Sequence, residues 1–272
     1  MAYNLLKGKR GIISGALDQN SIAWKIALRA KEEGASFTLT NAPVALRLGT
    51  LQTLGEQCEA PIIAADATSV DDLTKLYQES MDVLGGKIDF VLHAIGMSPN
   101  VRKGRDYGDL NYDWFLKSID ISALSFHKML QTAEKLDALN DYASVVGLSY
   151  IAAQRTFDSY SDMAQAKAVL ESIARSYGAR LGKTKKVRVN TVSQSPTQTT
   201  AGTGIDGFDV FFDYADAMSP LGNATAEECA DYVITLFSDL TRKVTMQNLF
   251  HDGGFSCSGI TDEIIERLKP KQ

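Results

Sequence analysis

The chain has little of what marks several large classes of protein. Its 272 residues include three cysteines, Cys58, Cys229 and Cys257, with no CxxC pair. That usage excludes a disulfide framework and a zinc module, and reads as reduced thiols packed for shape. The histidines, His93, His127 and His251, are too scattered to make a site by spacing, so no metal is expected. No apolar run approaches the roughly 18 residues of a membrane span. The stretch Met1 to Arg10 lacks the apolar core of a secretory signal, and a cytoplasmic location is expected. A net charge of −5 argues against nucleic acid or an anionic membrane as partner. Repeats, low-complexity tracts and Pro/Gly-rich linkers are missing, so one domain over residues 1–272 is expected.

What is present is alternation. Short apolar runs at Gly11–Ser14, Ser36–Thr40, Pro61–Ala65, Ile88–His93, Ala143–Leu148, Val187–Val192 and Gln247–Phe250 are separated by helix-length amphipathic segments. These segments include Ile22–Glu33, Asp71–Val83, Ser122–Leu136, Met163–Leu181 and Ala226–Phe237. Strands alternating with helices imply crossover connections and a mostly parallel sheet covered on both faces. The expected fold is α/β, a Rossmann-like doubly wound parallel sheet of about seven strands. Residues Val189 to Ile205 carry no charge and are rich in Ser, Thr, Gln and Gly. An uncharged polar loop after a strand suits a cover over a cofactor and an apolar substrate; an ordinary connection is the competing reading.

In such a fold the first strand-to-helix junction receives phosphate. Here Gly15 ends the first strand and Ser21 stands as N-cap before Ile22, but the usual GxGxxG is absent. Free backbone NH groups at the helix start suit a pyrophosphate. The second strand ends Thr40-Asn41-Ala42, with neither the carboxylate that favours NAD nor a cation pair for the phosphate of NADP. Without a basic pair, NADH is expected over NADPH. Asp66 follows the third strand and can accept from an adenine amino group, while Gly96 after the fourth lets backbone approach a cofactor.

The most telling residues are Tyr160, Lys167 seven positions on, and Tyr150 ten before Tyr160. Seven residues on a helix are almost two turns, so Tyr160 and Lys167 are expected to share one face. A phenol can donate to an oxygen that becomes negative, and a nearby lysine adds positive charge and can lower the phenol's pKa. By itself the pair also fits an ordinary half-exposed helix.

Taken together these residues resemble the enoyl-acyl-carrier-protein reductases of bacterial fatty acid synthesis, a divergent branch of the short-chain dehydrogenase/reductases. The resemblance runs from Leu6 to Phe255, and Tyr-x6-Lys with Tyr150 upstream is its most specific element. Ketone-handling relatives typically carry Tyr-x3-Lys, and Ala164 occupies that lysine position here. A ketoreductase and a non-catalytic nucleotide sensor on the same fold are the two competing readings. The resemblance implies hydride transfer from NADH to a trans-2-enoyl thioester on an acyl carrier protein, in a homotetramer. It implies catalytic roles for Tyr150, Tyr160 and Lys167. It implies cofactor contacts at Gly15, Ser21, Ile22, Asp66, Ala67, Ile95, Gly96, Lys167, Thr197 and Thr199. It implies substrate contacts at Met97, Ser98, Tyr150, Tyr160, Met163, Ile205 and Phe208, within a loop of about residues 195–215. Three departures stand out: Lys25 for a frequent glycine, Gln194-Ser195-Pro196 for Ala-Gly-Pro, and Asp206 and Asp209 where some relatives place basic residues. Acidic residues repel an acidic carrier protein, so docking is expected elsewhere, at Lys183, Lys185 or Lys186.

Overall fold

The first apolar run lies between two later ones, and this placement organises the molecule. The computed structural model describes residues 2–47, 50–157, 160–200, 202–203 and 207–269. In chain order its elements are β1 (Arg10–Ser14), α1 (Ile22–Glu32), β2 (Ser36–Thr40), α2 (Pro43–Arg47), α3 (Leu51–Cys58), α4 (Val70–Leu84), β3 (Ile88–His93), α5 (Pro99–Arg102), α6 (Tyr112–Ile119), α7 (Ser125–Lys135), β4 (Leu139–Ser149), α8 (Met163–Lys185), β5 (Arg188–Gln194), α9 (Phe208–Met218), α10 (Ala226–Phe237), β6 (Asn248–His251) and α11 (Asp262–Leu268). The sheet order is β2-β1-β3-β4-β5-β6, and every pair is parallel.

Successive residues of a strand face opposite ways, and both faces here are covered. Ile13, Leu39, Phe90 and Leu92 pack with Trp24, Leu54 and Phe237 from α1, α3 and α10. Ile12, Val91, Val145 and Val189 pack with Leu73, Phe126 and Leu170 from α4, α7 and α8. This two-sided burial is why the central strands read as unbroken apolar runs. Cys58 and Cys229 belong to the first layer, where burial pushes their thiols up to about 11 and about 12, so both stay neutral.

Two expectations change. Pro61–Ala65 makes only one parallel bridge, Ile62 with Leu39, so the described sheet has six strands and not seven. Its links to β2 are Leu39 N to Pro61 O (2.9 Å), Ile63 N to Leu39 O (2.9 Å) and Ala65 N to Asn41 O (3.1 Å). Pro61 has no NH to donate, which suits the outer edge of the sheet. The segment Ser122–Leu136 is not one regular helix: a wide π-turn, Asp120–Leu124, joins α6 to α7. Serine hydroxyls that compete for backbone groups accompany it, since Ser125 Oγ donates to Ile121 O at 2.6 Å.

The strands end together at the face where β1 meets β3. Gly15 has φ +91°, and a Cβ there would run into the carbonyl oxygen of Ala94. Gly15→Ala should therefore cost about 2–3 kcal/mol from left-handed strain plus overpacking. That lowers a thermal melting temperature by on the order of 5 °C; an unchanged melt would show that the two strand ends part freely.

Candidate active site

A cleft opens at the carboxyl ends of β3, β4 and β5, roofed by the start of α9. It is lined by Ile22, Ile95, Gly96, Thr197 and Thr199, by Met97, Ser98, Met163 and Phe208, and by Tyr150, Tyr160 and Lys167. Gly15, Ser21, Asp66 and Ala67 stand outside this lining, and Ile205 falls outside the described residues.

Ser21 holds the expected N-cap position of α1, but its hydroxyl makes no cap bond; it accepts from Leu17 N and Asp18 N, each at 3.1 Å. The side chain tightens the turn and leaves the first NH groups of α1 available for an anion. Asn41 Nδ2 donates to Ala16 O at 2.9 Å, so this side chain also braces the turn. Asp66 caps its own loop, accepting from Thr68 N and Thr68 Oγ1 (2.9 and 2.7 Å) ahead of α4. A Cβ on Gly96 would meet Lys167 Nζ at 3.6 Å and nothing closer, so the missing side chain keeps open the space above that ammonium.

Lys167 is almost fully buried, and its Nζ donates to Leu148 O at 2.7 Å. Burial pulls this lysine down to about 8, while the Glu171 carboxylate one turn on holds it up. Glu171 is also buried and accepts from Ser149 Oγ (2.7 Å) and Gln154 Nε2 (3.2 Å). Beneath lies His93, fully buried, pushed down to about 3 by burial and by Lys167, and so neutral. Of the three protons on the Lys167 ammonium, one is satisfied by Leu148 O, which leaves two for a polar ligand such as a ribose diol.

Tyr160 is not on α8. It stands in the turn before it, separated by Ser161 at φ +44°, yet still shares the cleft with Lys167. Its ring lies 4.9 Å from that of Tyr150, tilted by 52°. The expected lowering of the phenol's pKa does not occur: burial pushes both tyrosines above their ordinary range, and Tyr160 adds to this at Tyr150. Among the described residues, neither hydroxyl has a partner. The site thus offers a neutral phenol able to donate and a buried cation within one cleft.

Residues 97–100 are held by side chains that sequence reading did not single out. Ser122, in the π-turn, accepts from Met97 N (2.9 Å) and donates to Met97 O (3.1 Å). Asp162, fully buried, accepts from Ser98 Oγ (2.5 Å), Asn100 Nδ2 (2.8 Å) and Ser118 Oγ (2.9 Å). One carboxylate thereby ties α5, α6 and the start of α8 together. An aromatic cluster forms another part of the site: Phe157 with Phe211 (5.1 Å) and Phe255 (6.3 Å), next to Tyr150.

The family model for enoyl-(acyl carrier protein) reductase matches residues 15–256. The chain belongs to that family. It is 33% identical over 263 residues to enoyl-acyl-carrier-protein reductase (NADH) 1 of Rhizobium meliloti, covering 95% of this chain and 94% of that one. It is similar to the crystal structure of the FabI–NADH complex from Alistipes finegoldii, with TM-score 0.96, 60% identity, and 99% and 94% of the two chains covered. The FabI structure from the same organism gives TM-score 0.93 at 59% identity, covering 98% and 97%.

Two departures from the usual pattern of enoyl reductases now have physical accounts. Lys25 pairs with Glu227 at 2.9 Å, across from α1 to α10. Gln194 and Ser195 lock the backbone: Gln194 Nε2 donates to Ala224 O (3.0 Å), its Oε1 meets His251 Nδ1 (2.7 Å), and Ser195 Oγ accepts from Ala224 N (3.0 Å). Beyond them Thr200 donates to Asp18, which fastens the uncharged loop to the first turn.

The lysine is charged below about 8 and neutral above, so NADH affinity should fall as pH rises through that region. Glu171→Gln removes the charge that supports the ammonium, and the midpoint should move to lower pH; an unmoved midpoint in fluorescence titrations would disconnect Glu171 from Lys167. Asp162→Asn turns an acceptor into a donor facing Asn100 Nδ2, and one misplaced buried polar group costs about 1–3 kcal/mol. We expect the KM for a thioester to rise about tenfold with NADH affinity unchanged; equal losses in both would reduce Asp162 to general stability.

Proposed function

We propose that this chain reduces trans-2-enoyl thioesters carried by acyl carrier protein to saturated acyl thioesters with NADH, the last step of the fatty acid elongation cycle. The observation that carries the reading is that a neutral Tyr160 and the buried ammonium of Lys167 line one cleft, together with the aromatic rings of Tyr150, Phe157, Phe208 and Phe211. NADH, when bound, supplies hydride for the β-carbon. The residues present fit it: Ser21 and Gly15 shape the turn at the free start of α1, Ile22, Ile95 and Gly96 line the approach, and Thr197 and Thr199 face it. Lys167 has two donors left for the nicotinamide ribose, and Asp66 and Ala67 serve the adenine end. The braced Asn41, with no cation pair after β2, supports NADH over NADPH.

As the β-carbon gains hydride, negative charge gathers on the thioester oxygen as an enolate, and a proton taken from solvent at the α-carbon completes the saturated product. Tyr160 donates a hydrogen bond to that oxygen, and the Lys167 charge lowers the energy of the developing anion in a site poor in water. Because burial keeps the phenol protonated, Tyr160 stabilises without having to ionise. Tyr150 packs against its ring and borders the reacting carbons. Met97, Ser98, Met163, Phe208 and Phe211 enclose the acyl chain, in part through the substrate loop of about residues 195–215, and the whole chain acts as one domain.

The reading includes a homotetramer in the cytoplasm, built on α7 and α8. A groove between these helices supports it, where Arg180 pairs with Glu134 (2.7 Å) and His127 packs edge-on against Tyr177. Among the described residues, no helix is long and apolar enough to cross a membrane.

The test is NADH consumption with crotonyl and acetoacetyl thioesters. We expect turnover on the enoyl compound alone; turnover on the acetoacetyl ester instead would favour a ketoreductase. Tyr160→Phe should lower kcat by about 10²–10³, the usual effect of one lost oxyanion donor. Undiminished turnover would remove Tyr160 from the chemistry.

A further inference from the structure

The lysines expected to receive the carrier protein lie at the wrong end of the molecule. Lys185 donates to Leu139 O (3.0 Å), at the amino end of β4, and pairs with Asp137. Sixteen helical residues separate Lys167 from Lys183, on the order of 24 Å at 1.5 Å per residue. The cleft opens at the other end of the strands, so a protein docked on these lysines stands away from the chemistry.

Two helices border the cleft, and their charges are opposite. The acidic side is α9, which exposes Asp209, Asp213 and Asp216 and has no cation. The other side is α5, where Arg102 lines the cleft and Lys103 follows directly. Both side chains are exposed, and among the described residues neither forms an ion pair. Arg105 is already engaged, with Asp109 at 2.8 Å and over the Trp114 ring at 5.6 Å. Cations still outnumber acids nearby: across residues 99–117, Arg102, Lys103, Arg105 and Lys117 stand against Asp106, Asp109 and Asp113, and Asp109 is paired with Arg105. Tyr107 and Tyr112 in the same segment are 56% and 80% exposed, side chains of a kind enriched at protein interfaces.

This lip is also held in place. Ser98 and Asn100 anchor α5 to Asp162, and the backbone NH and carbonyl of Asn111 pair with Asn100 at 3.1 Å. A fixed cationic lip and an acidic helix bordering the same cleft set up a polar field at its mouth, which orients a charged partner as it approaches.

We propose that the acyl carrier protein docks on the lip formed by Arg102 and Lys103, with its acidic surface turned to these cations and away from α9. This rests on the enoyl reductase reading above. In a chain of net charge −5, such local charge decides where an acidic protein can approach at all.

The experiment compares two trans-2-enoyl substrates, one on acyl carrier protein and one on uncharged N-acetylcysteamine. Lys103→Glu should raise KM for the carrier-bound substrate by about three- to tenfold, and Asp213→Lys should lower it by a similar factor, the scale of rim-charge effects. Neither change should alter KM or kcat with the uncharged thioester. For the unaltered protein, KM for the carrier-bound substrate should rise with salt as the interaction is screened. If Lys103→Glu leaves the carrier-bound KM unchanged, or shifts both substrates alike, the docking proposal is overturned. If the unaltered protein reduces neither substrate, the reductase reading falls, an outcome separate from failure of the lip alone.

Discussion

A lysine ammonium held away from water is the constraint on which the site depends. Removing a cation from water costs several kcal/mol, which the surrounding groups must offset. Three elements contribute. β4 ends so that the Leu148 carbonyl accepts from Nζ, α8 brings Glu171 one turn further on, and β3 ends in a histidine that burial keeps neutral. A protonated His93 would stand against Lys167. Its depth in the core is therefore part of the electrostatics as well as of the packing. The same residues that seat the cation also define the cleft: Gly96 leaves space over it, and Tyr160 lines the same cleft.

The two walls of the cleft are built by different physics. Residues 97–100 are fixed by directional hydrogen bonds from Ser122, Asp162 and Asn111, all partly or fully removed from solvent. Such bonds have one good geometry, and this wall is consequently set before any ligand arrives. The opposite wall, at α9, is held by contacts among Phe157, Phe211, Phe255 and Tyr214. Ring contacts tolerate sliding and tilting, and the wall can repack around chains of different length. A stiff polar side and an adaptable apolar side let a cleft fix the position of one functional group while its apolar wall adjusts.

The fold was largely legible in the chain because its cause is local. Period-two and period-3.6 apolar patterns are direct consequences of burial, and they place β1, β3, α1 and α10 within a residue or two. The edge run Pro61–Ala65 was harder, because an apolar run shows burial but not how many neighbours pair with it. Tyr150, Tyr160 and Lys167 could be found from spacing. Asp162 and Ser122 could not: a buried aspartate looks the same in sequence as a solvated one, and its three partners lie 64, 62 and 44 positions away. Ser21 was found at its expected position but in a different role, since its hydroxyl faces back into the turn and not forward onto the helix. The phenol's pKa was misjudged in the same way, because a neighbouring charge can be read from spacing and depth of burial cannot.

The π-turn at Asp120–Leu124 sets regularity against geometry. One residue on a helix amounts to about 100° of rotation, and a π-turn is one extra residue accommodated in place. Removing a residue there would let α6 and α7 merge into a single uniform helix, which by backbone criteria is an improvement. It would also turn Ser122 away from Met97 and release the loop that the serine grips. Idealising this backbone and preserving its cleft are thus incompatible aims. A lineage or a designer that shortens this helix gains a straighter rod and gives up the alignment of everything built on it.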